Sequence, residues 1–368
     1  MKNAFIPLPL DPKRGRGTGL NPTGRFNEVR YDATQVIDEA YPDEMDSGPR
    51  LRTTFYTDAS RTIVTKNDSP DVGFDYGINS YRGCEHGCIY CYARPTHEYF
   101  GLSAGEDFES KIFVKERGPE LLREKLLGKS WQPQVIMMSG VTDCYQPAER
   151  KYFLTRRCLE VLAEFRNPVS IITKNHLVTR DIDVLKTLAK SHAAMVILSV
   201  TTLNSDLCSK LEPRTSRPAF RLDAIRQLAD AGIPVGVNVA PVIPGLTDEE
   251  IPAILEAAHQ AGARFAGFTM LRLPYGVKDL FEDWVKREYP DRAEKVLNRI
   301  RSMRDGKLNT AEFGSRMHGE GIFAEQIRAL FKLSCKKIGM SNVFPSLSTS
   351  AFRRPSAQLS WLDEANGA

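Results

Sequence analysis

The chain has 368 residues, 42% hydrophobic and 26% charged, with a net charge of +4. That composition suits a folded globular chain with a sizeable core and excludes wholesale disorder. No apolar run approaches the roughly 20 residues a membrane helix needs, so no membrane partner and a cytoplasmic location are expected.

Residues 1–65 are rich in Gly, Pro and polar residues and show little periodicity. They read as an extended basic N-terminal arm that wraps the domain or stays mobile. Its apolar start is broken by Pro7 and Pro9 and reads as neither signal peptide nor anchor. The GRGTG stretch lacks the preceding strand and the glycine spacing of a dinucleotide fingerprint. Residues 1–30 and 301–368 are each basic, and the middle is acidic. Basic ends contact phosphates or form a solvated arm and tail.

From about residue 72, short apolar runs at 74–79, 135–139, 169–173, 195–200, 235–240 and 265–270 alternate with helical patterns. Each run is apolar on both faces, as buried parallel strands are. Pro147 can open a helix running to Phe165. Residues 216–231 read as a helix stopped by Gly232. Thr247 and Glu250 form a capping box before a helix that Gly262 ends. A charged amphipathic pattern spans 277–303 with a break at Pro290, a further helix spans 321–333, and the last 25 residues look frayed. Six strand–helix units argue for a parallel α/β fold, either an open barrel or a doubly wound sheet.

Seven cysteines without a secretion signal argue against a disulfide framework. Three of them, Cys84, Cys88 and Cys91, crowd into NSYRGCEHGCIYCYARPTHEYF with C-x3-C-x2-C spacing. A loop that tight can wrap three thiolates around one 4Fe–4S cube and leave one iron open to a small molecule. Two other readings stay open. Structural zinc would take a fourth ligand from His86 or His97. A redox dithiol from Cys88 and Cys91 would leave Cys84 unexplained.

The C-x3-C-x-aromatic-C pattern, with Tyr90 as the aromatic, resembles the signature of the radical S-adenosylmethionine (SAM) superfamily. SYRGCEHGCIYCYAR is similar to the branch containing spore photoproduct lyase and its uncharacterised relatives. The resemblance covers about residues 70–275. It implies a partial (β/α)6 TIM-like barrel. The chain is expected to divide into the arm at 1–65, a radical SAM core at 66–303 and a C-terminal helical extension and tail at 304–368. The resemblance also implies that Cys84, Cys88 and Cys91 ligate a 4Fe–4S cluster whose fourth iron binds SAM. The reduced cluster would cleave SAM to a 5′-deoxyadenosyl radical that abstracts hydrogen from the substrate.

The resemblance carries over to further positions. The backbone around Tyr90 and Tyr92 would lie against the adenine. Ser139 and Gly140 stand where the superfamily often has a Gly-Gly-Glu turn, with Thr142 and Asp143 as polar neighbours; Asp143 alternatively caps a helix near Pro147. Lys174 would pair with the SAM carboxylate. Ser199 and Arg214 would reach SAM, Asn238 would point to the ribose, and Gly245 would turn beside the base, with Asp248 replacing the usual glutamate. Arg272 at the barrel mouth can hold a substrate phosphate or carboxylate or form a surface salt bridge. Cys144 matches the region of the lyase's hydrogen-donating cysteine, or is a half-buried thiol. Cys335 reads as packing, and Cys158 and Cys208 as structural.

The leading expectation is therefore a radical SAM enzyme, served by a reductant such as flavodoxin or ferredoxin, with a nucleic acid among the possible substrates. The alternatives are a non-catalytic iron–sulfur electron carrier or sensor, and a zinc-stabilised nucleic-acid-binding module.

Overall fold

Runs that are apolar on both faces need cover on both faces, and the chain provides it by laying them side by side in one sheet. The computed structural model describes residues 15–22, 24–25 and 52–355. Most of the N-terminal arm and the end of the C-terminal tail lie outside the described residues. Ten strands are described: β1 (Thr54–Thr57), β2 (Val64–Lys66), β3 (Tyr76–Ile78), β4 (Tyr81–Arg82), β5 (Lys111–Val114), β6 (Ile136–Met138), β7 (Val169–Thr173), β8 (Ala194–Ser199), β9 (Val235–Val242) and β10 (Phe265–Met270).

The six predicted runs are β3 and β6 to β10. They pair in parallel and in chain order, with β2 antiparallel outside β3. A doubly wound sheet reverses its order at a switch point. This one never reverses, which is the winding of an open barrel, and among the described residues β10 and β2 are not paired with each other.

Alternation along the strands separates two apolar layers. Val235, Val237 and Val239 of β9 join Leu159, Ile225 and Ile254 of the surrounding helices in the main core. On the opposite, concave face, Met195, Ile197 and Phe265 pack with Ile172 and Leu347. Phe344 stacks edge-on against Phe265, with ring centroids 5.2 Å apart. The chain beyond the last long helix thus returns beneath the N-terminal ends of the strands.

Several expectations are corrected. β1 lies inside the region read as an arm and β2 straddles its end, and β1 joins β5 and β4 in a second, three-stranded sheet. The helix expected from Pro147 to Phe165 breaks at Phe153, whose φ is +53°. The break lets the buried Glu149 carboxylate accept the N–H of Thr155 (3.0 Å), capping the helix Leu154–Phe165. The Thr247–Glu250 capping box does not form. Glu250 instead accepts the Thr202 hydroxyl (2.5 Å) and the Leu203 N–H (2.7 Å), and the Thr247 hydroxyl accepts the Ile243 N–H. The helix expected at 321–333 runs as Gly321–Ile338 and packs Phe331 and Cys335 into the main core. No helix among the described residues is long and apolar enough to cross a membrane.

Candidate active site

The cysteine loop follows β4 and depends on two left-handed glycines. Gly83 has φ +80° and Gly87 φ +65°. A Cβ at Gly83 would stand 2.8 Å from the His97 ring, so the loop can enter only through glycine. Local turns follow: Cys91 N–H donates to the Cys88 carbonyl (3.2 Å) and Arg94 N–H to the Cys91 carbonyl (3.2 Å). Cys84 and Cys88 are buried and Cys91 is half-buried. Burial pushes all three thiols up from their ordinary pKa. Among the described residues, no group of three or more His, Cys, Asp or Glu side chains is placed to hold a metal ion.

The loop is clamped by residues that sequence reasoning did not single out. Arg94 is fully buried; its Nε donates to the Cys88 carbonyl (2.9 Å) and its Nη2 to the Gly87 carbonyl (3.2 Å). The same guanidinium reaches the carbonyls of Ala104 and Gly105 and pairs with buried Glu109. Buried Gln146 donates to the Gly83 carbonyl (3.1 Å) and accepts the Glu85 N–H (3.0 Å). Beneath the loop, the Tyr90 hydroxyl donates to Glu212, which also takes the Thr201 hydroxyl (2.6 Å) and pairs with buried Arg221. Burial alone would raise the Glu212 pKa; the charges of Arg221 and Lys174 outweigh it and hold it down at about 2.

The described piece of the arm belongs to the same assembly. Arg16 donates to the Glu109 carbonyl (2.7 Å), Gly17 N–H to the Glu109 carboxylate (3.1 Å), and Asn21 accepts the Glu106 N–H (3.2 Å). Gly17 approaches so closely that a Cβ there would stand 1.9 Å from the Gly87 carbonyl. Here the glycines of GRGTG serve contact with the cysteine loop.

The expected site residues fall into three groups. The first gathers at the loop. Tyr92, 47% exposed, donates its hydroxyl to the Gly140 carbonyl (2.7 Å), joining the loop to the end of β6. Lys174, just past β7, holds its ammonium 5.9 Å from the Tyr90 ring centre, and its charge acts on Cys88 and Cys91. Gly245 turns at φ +83° and donates to Asp248 (2.7 Å), which pairs with Arg299 (3.3 Å). The flanking Ile243 and Leu246 pack with Cys88, Ile89 and Tyr90.

The second group lines the strands. Ser199 of β8 and Asn238 of β9 are register partners, and Gly267 of β10 partners Asn238 in turn. Alternation puts Ser199 on the same face as Ile197, the concave one. Ser139 holds the left-handed φ of +74° that glycine usually takes, and its hydroxyl accepts the Cys144 N–H (2.8 Å).

The third group is turned to structural work. Thr142 donates to the Tyr81 carbonyl (3.0 Å). Asp143 does not cap the helix near Pro147. It accepts the Thr173 hydroxyl (2.7 Å) and Lys174 N–H (2.8 Å) and faces His86, tying β7 to the cysteine loop. Burial would raise its carboxyl; the His86 charge and these bonds hold it at about 2. Arg214 pairs with Glu85 of the loop (3.0 Å). Cys144 is 1% exposed inside the main apolar core, with Cys158 and Cys335. Cys208 accepts from Arg221 (3.3 Å).

The donor chemistry suits an iron–sulfur cube. Three soft thiols share one loop, and each of the other four cysteines lies in the core or against Arg221. Three sulfur ligands leave one iron of a cube without a protein ligand. The zinc reading is not favoured by the histidines. His86 is engaged by Asp143 (3.4 Å) and Asn175 (3.1 Å). His97 bonds the Lys111 carbonyl (2.8 Å) inside a box of Phe100, Phe108 and Phe113, where burial lowers its pKa to about 4.

The Radical SAM superfamily model matches residues 78–258. An uncharacterised protein of Mycobacterium tuberculosis (strain ATCC 25618 / H37Rv) is 36% identical over 65% of this chain and 71% of its own length. An uncharacterised protein of Methanocaldococcus jannaschii is 32% identical over 66% and 88%. A radical SAM Nalpha-GlyT isomerase of Pseudomonas phage M6 is 27% identical over 66% and 46%. Among solved structures, spore photoproduct lyase complexed with dinucleoside spore photoproduct superposes with a TM-score of 0.53 at 17% identity, over 77% of this chain and 79% of that one. That is a likeness of fold. With its cysteine loop, its one-way parallel sheet and these relatives, the chain belongs to the radical SAM superfamily.

Proposed function

We propose that this protein is a radical SAM enzyme in which Cys84, Cys88 and Cys91 hold a 4Fe–4S cluster and the strand ends hold SAM. When bound and reduced, by a donor such as flavodoxin or ferredoxin, the cluster supplies the one-electron cleavage of SAM that yields a 5′-deoxyadenosyl radical for hydrogen abstraction.

The chain's own residues prepare that step. Arg94 and Gln146 fix the loop carbonyls and so hold the backbone from which the three thiols project. Lys174 offers a positive charge to the SAM carboxylate. Ser199, Asn238 and Gly245 present polar groups and a backbone turn to the nucleoside. The packing of Ile89, Tyr90 and Leu246 keeps water from the floor of the site. The observation that carries the reading is the meeting of the three-thiol loop with the Lys174 ammonium at the strand ends. An electron carrier needs the thiols but has no use for that cation or for the Ser199–Asn238 row.

The test is anaerobic reconstitution with iron and sulfide, reduction with dithionite and addition of SAM. Wild type is expected to form 5′-deoxyadenosine and Cys88→Ala to form none. A brown protein that leaves SAM intact would sink the enzymatic reading in favour of a carrier or sensor.

A further inference from the structure

The end of β10 carries a concentration of positive charge that the cofactor chemistry does not use. Arg272 lies two residues past β10, on the strand-end side where barrel enzymes bind their ligands. Its guanidinium sits 5.6 Å from the ring centre of Tyr92, the residue next to Cys91. Arg304 is 3% exposed and reaches the same place through the Leu271 carbonyl. Arg316 follows, its own carbonyl accepting from Arg304 (3.2 Å).

The charges are not balanced. The acid that acts on Arg272 is Asp71, and Asp71 is already paired with Arg316. Burial and the neighbouring Arg272 charge lower the Arg304 pKa to about 10, with no acid among the described residues opposing them. Among the described residues, the Nε of Arg272 and the Nε and Nη1 of Arg304 are buried without a hydrogen-bond partner. Buried donors are normally satisfied, and buried cations are normally paired. A water molecule would satisfy an N–H but leave two guanidiniums side by side. An anion does both, and guanidiniums suit planar or tetrahedral oxyanions.

We propose that Arg272 and Arg304, backed by Arg316, form an oxyanion site for the substrate, taking a phosphate or a carboxylate at the strand ends beside the cysteine loop. Its assignment to the substrate rests on the enzymatic reading above; the site itself does not. An anion bound there would lie beside Tyr92, holding the rest of the molecule toward the strand ends.

The test is calorimetric titration of inorganic phosphate, and separately of acetate, into the anaerobically reconstituted full chain, with ionic strength fixed by KCl. Saturable binding is expected for one of the two, and which one binds names the source of the oxyanion. Arg272→Gln and Arg304→Gln are expected to weaken it at least tenfold, with Lys295→Gln, an exposed control, within twofold of wild type. If Arg304→Gln does not fold, the half-buried Arg272→Gln decides alone. No saturable binding of either anion, or equal binding by wild type and Arg272→Gln, overturns the site. A protein that binds the anion but never cleaves SAM upholds the site while sinking the enzymatic reading. One that cleaves SAM but binds neither anion does the reverse.

Discussion

The two sides of the barrel mouth handle buried charge in opposite ways. On the cysteine side every buried ion named above has its counterpart: Arg94 has Glu109, Arg221 has Glu212, and Asp143 has His86. On the β10 side, Arg272 and Arg304 meet each other and leave three N–H groups unanswered among the described residues. Closed circuits of charge hold a backbone in place, because every deletion strands a partner. An open circuit does little for the fold and is poised to accept something from outside. The difference separates the side that is built to stay still from the side that is built to receive.

The sharpest way to break that contrast is Arg94→Met. It strands buried Glu109 and frees the carbonyls of Gly87 and Cys88, so a loss of about 3–5 kcal/mol is expected, read as a lower midpoint in thermal melts together with iron per chain after reconstitution. Unchanged iron content would show that the clamp is dispensable.

Glu212→Gln tests the second circuit through pH. The carboxyl is held at about 2 in the fold against a reference value of 4.5. Because the folded value is the lower one, the carboxylate's contribution is present above about pH 4.5 and is lost as pH falls toward 2. We expect wild type to lose stability across that window more steeply than Glu212→Gln, whose melts start about 3 kcal/mol lower at neutral pH because Arg221 is left unpaired. Parallel curves would remove the circuit from the account.

Gly17→Ala probes the arm. The new methyl cannot share space with the Gly87 carbonyl, so the arm must lift, at about 1–3 kcal/mol. Faster trypsin cleavage at Arg16 and faster iron release to a chelator are the expected readouts; wild-type rates for both would mean the arm's contact is incidental. The smallest effect on the fold belongs to Lys174→Gln, since its charge only supplements that of Arg221, which still pairs directly with Glu212. A melting midpoint near that of wild type is expected with roughly tenfold weaker SAM binding, about 1.4 kcal/mol. A large stability loss would instead make Lys174 part of the closed side.

What the sequence disclosed follows the same division. The six parallel strands were legible because a strand covered on both faces is apolar throughout, and β7 and β10 fall on their predicted limits. The thiol loop was legible from its spacing. β1, β4 and β5 were not, being two to four residues long and specified by one another across the chain. The capping box failed for a related reason: Glu250 found better donors at Thr202 and Leu203, 47–48 residues away in sequence. Arg94 and Gln146 sat in segments already singled out. Their roles were hidden because a clamp is defined by the carbonyls it reaches. The left-handed Ser139 likewise occupies a place where pattern reasoning looks for glycine.

The return of the chain beneath the strands, with Phe344 and Leu347 against the inner faces of Phe265, Met195 and Ile197, has a consequence for traffic. The bottom of the barrel is stoppered by the protein's own polypeptide. On the proposed reading, cofactor and reactant would enter from the opposite end of the strands, where the cysteine loop and the arginines stand, and a bulky reactant seated on the arginines would lie over the cofactor.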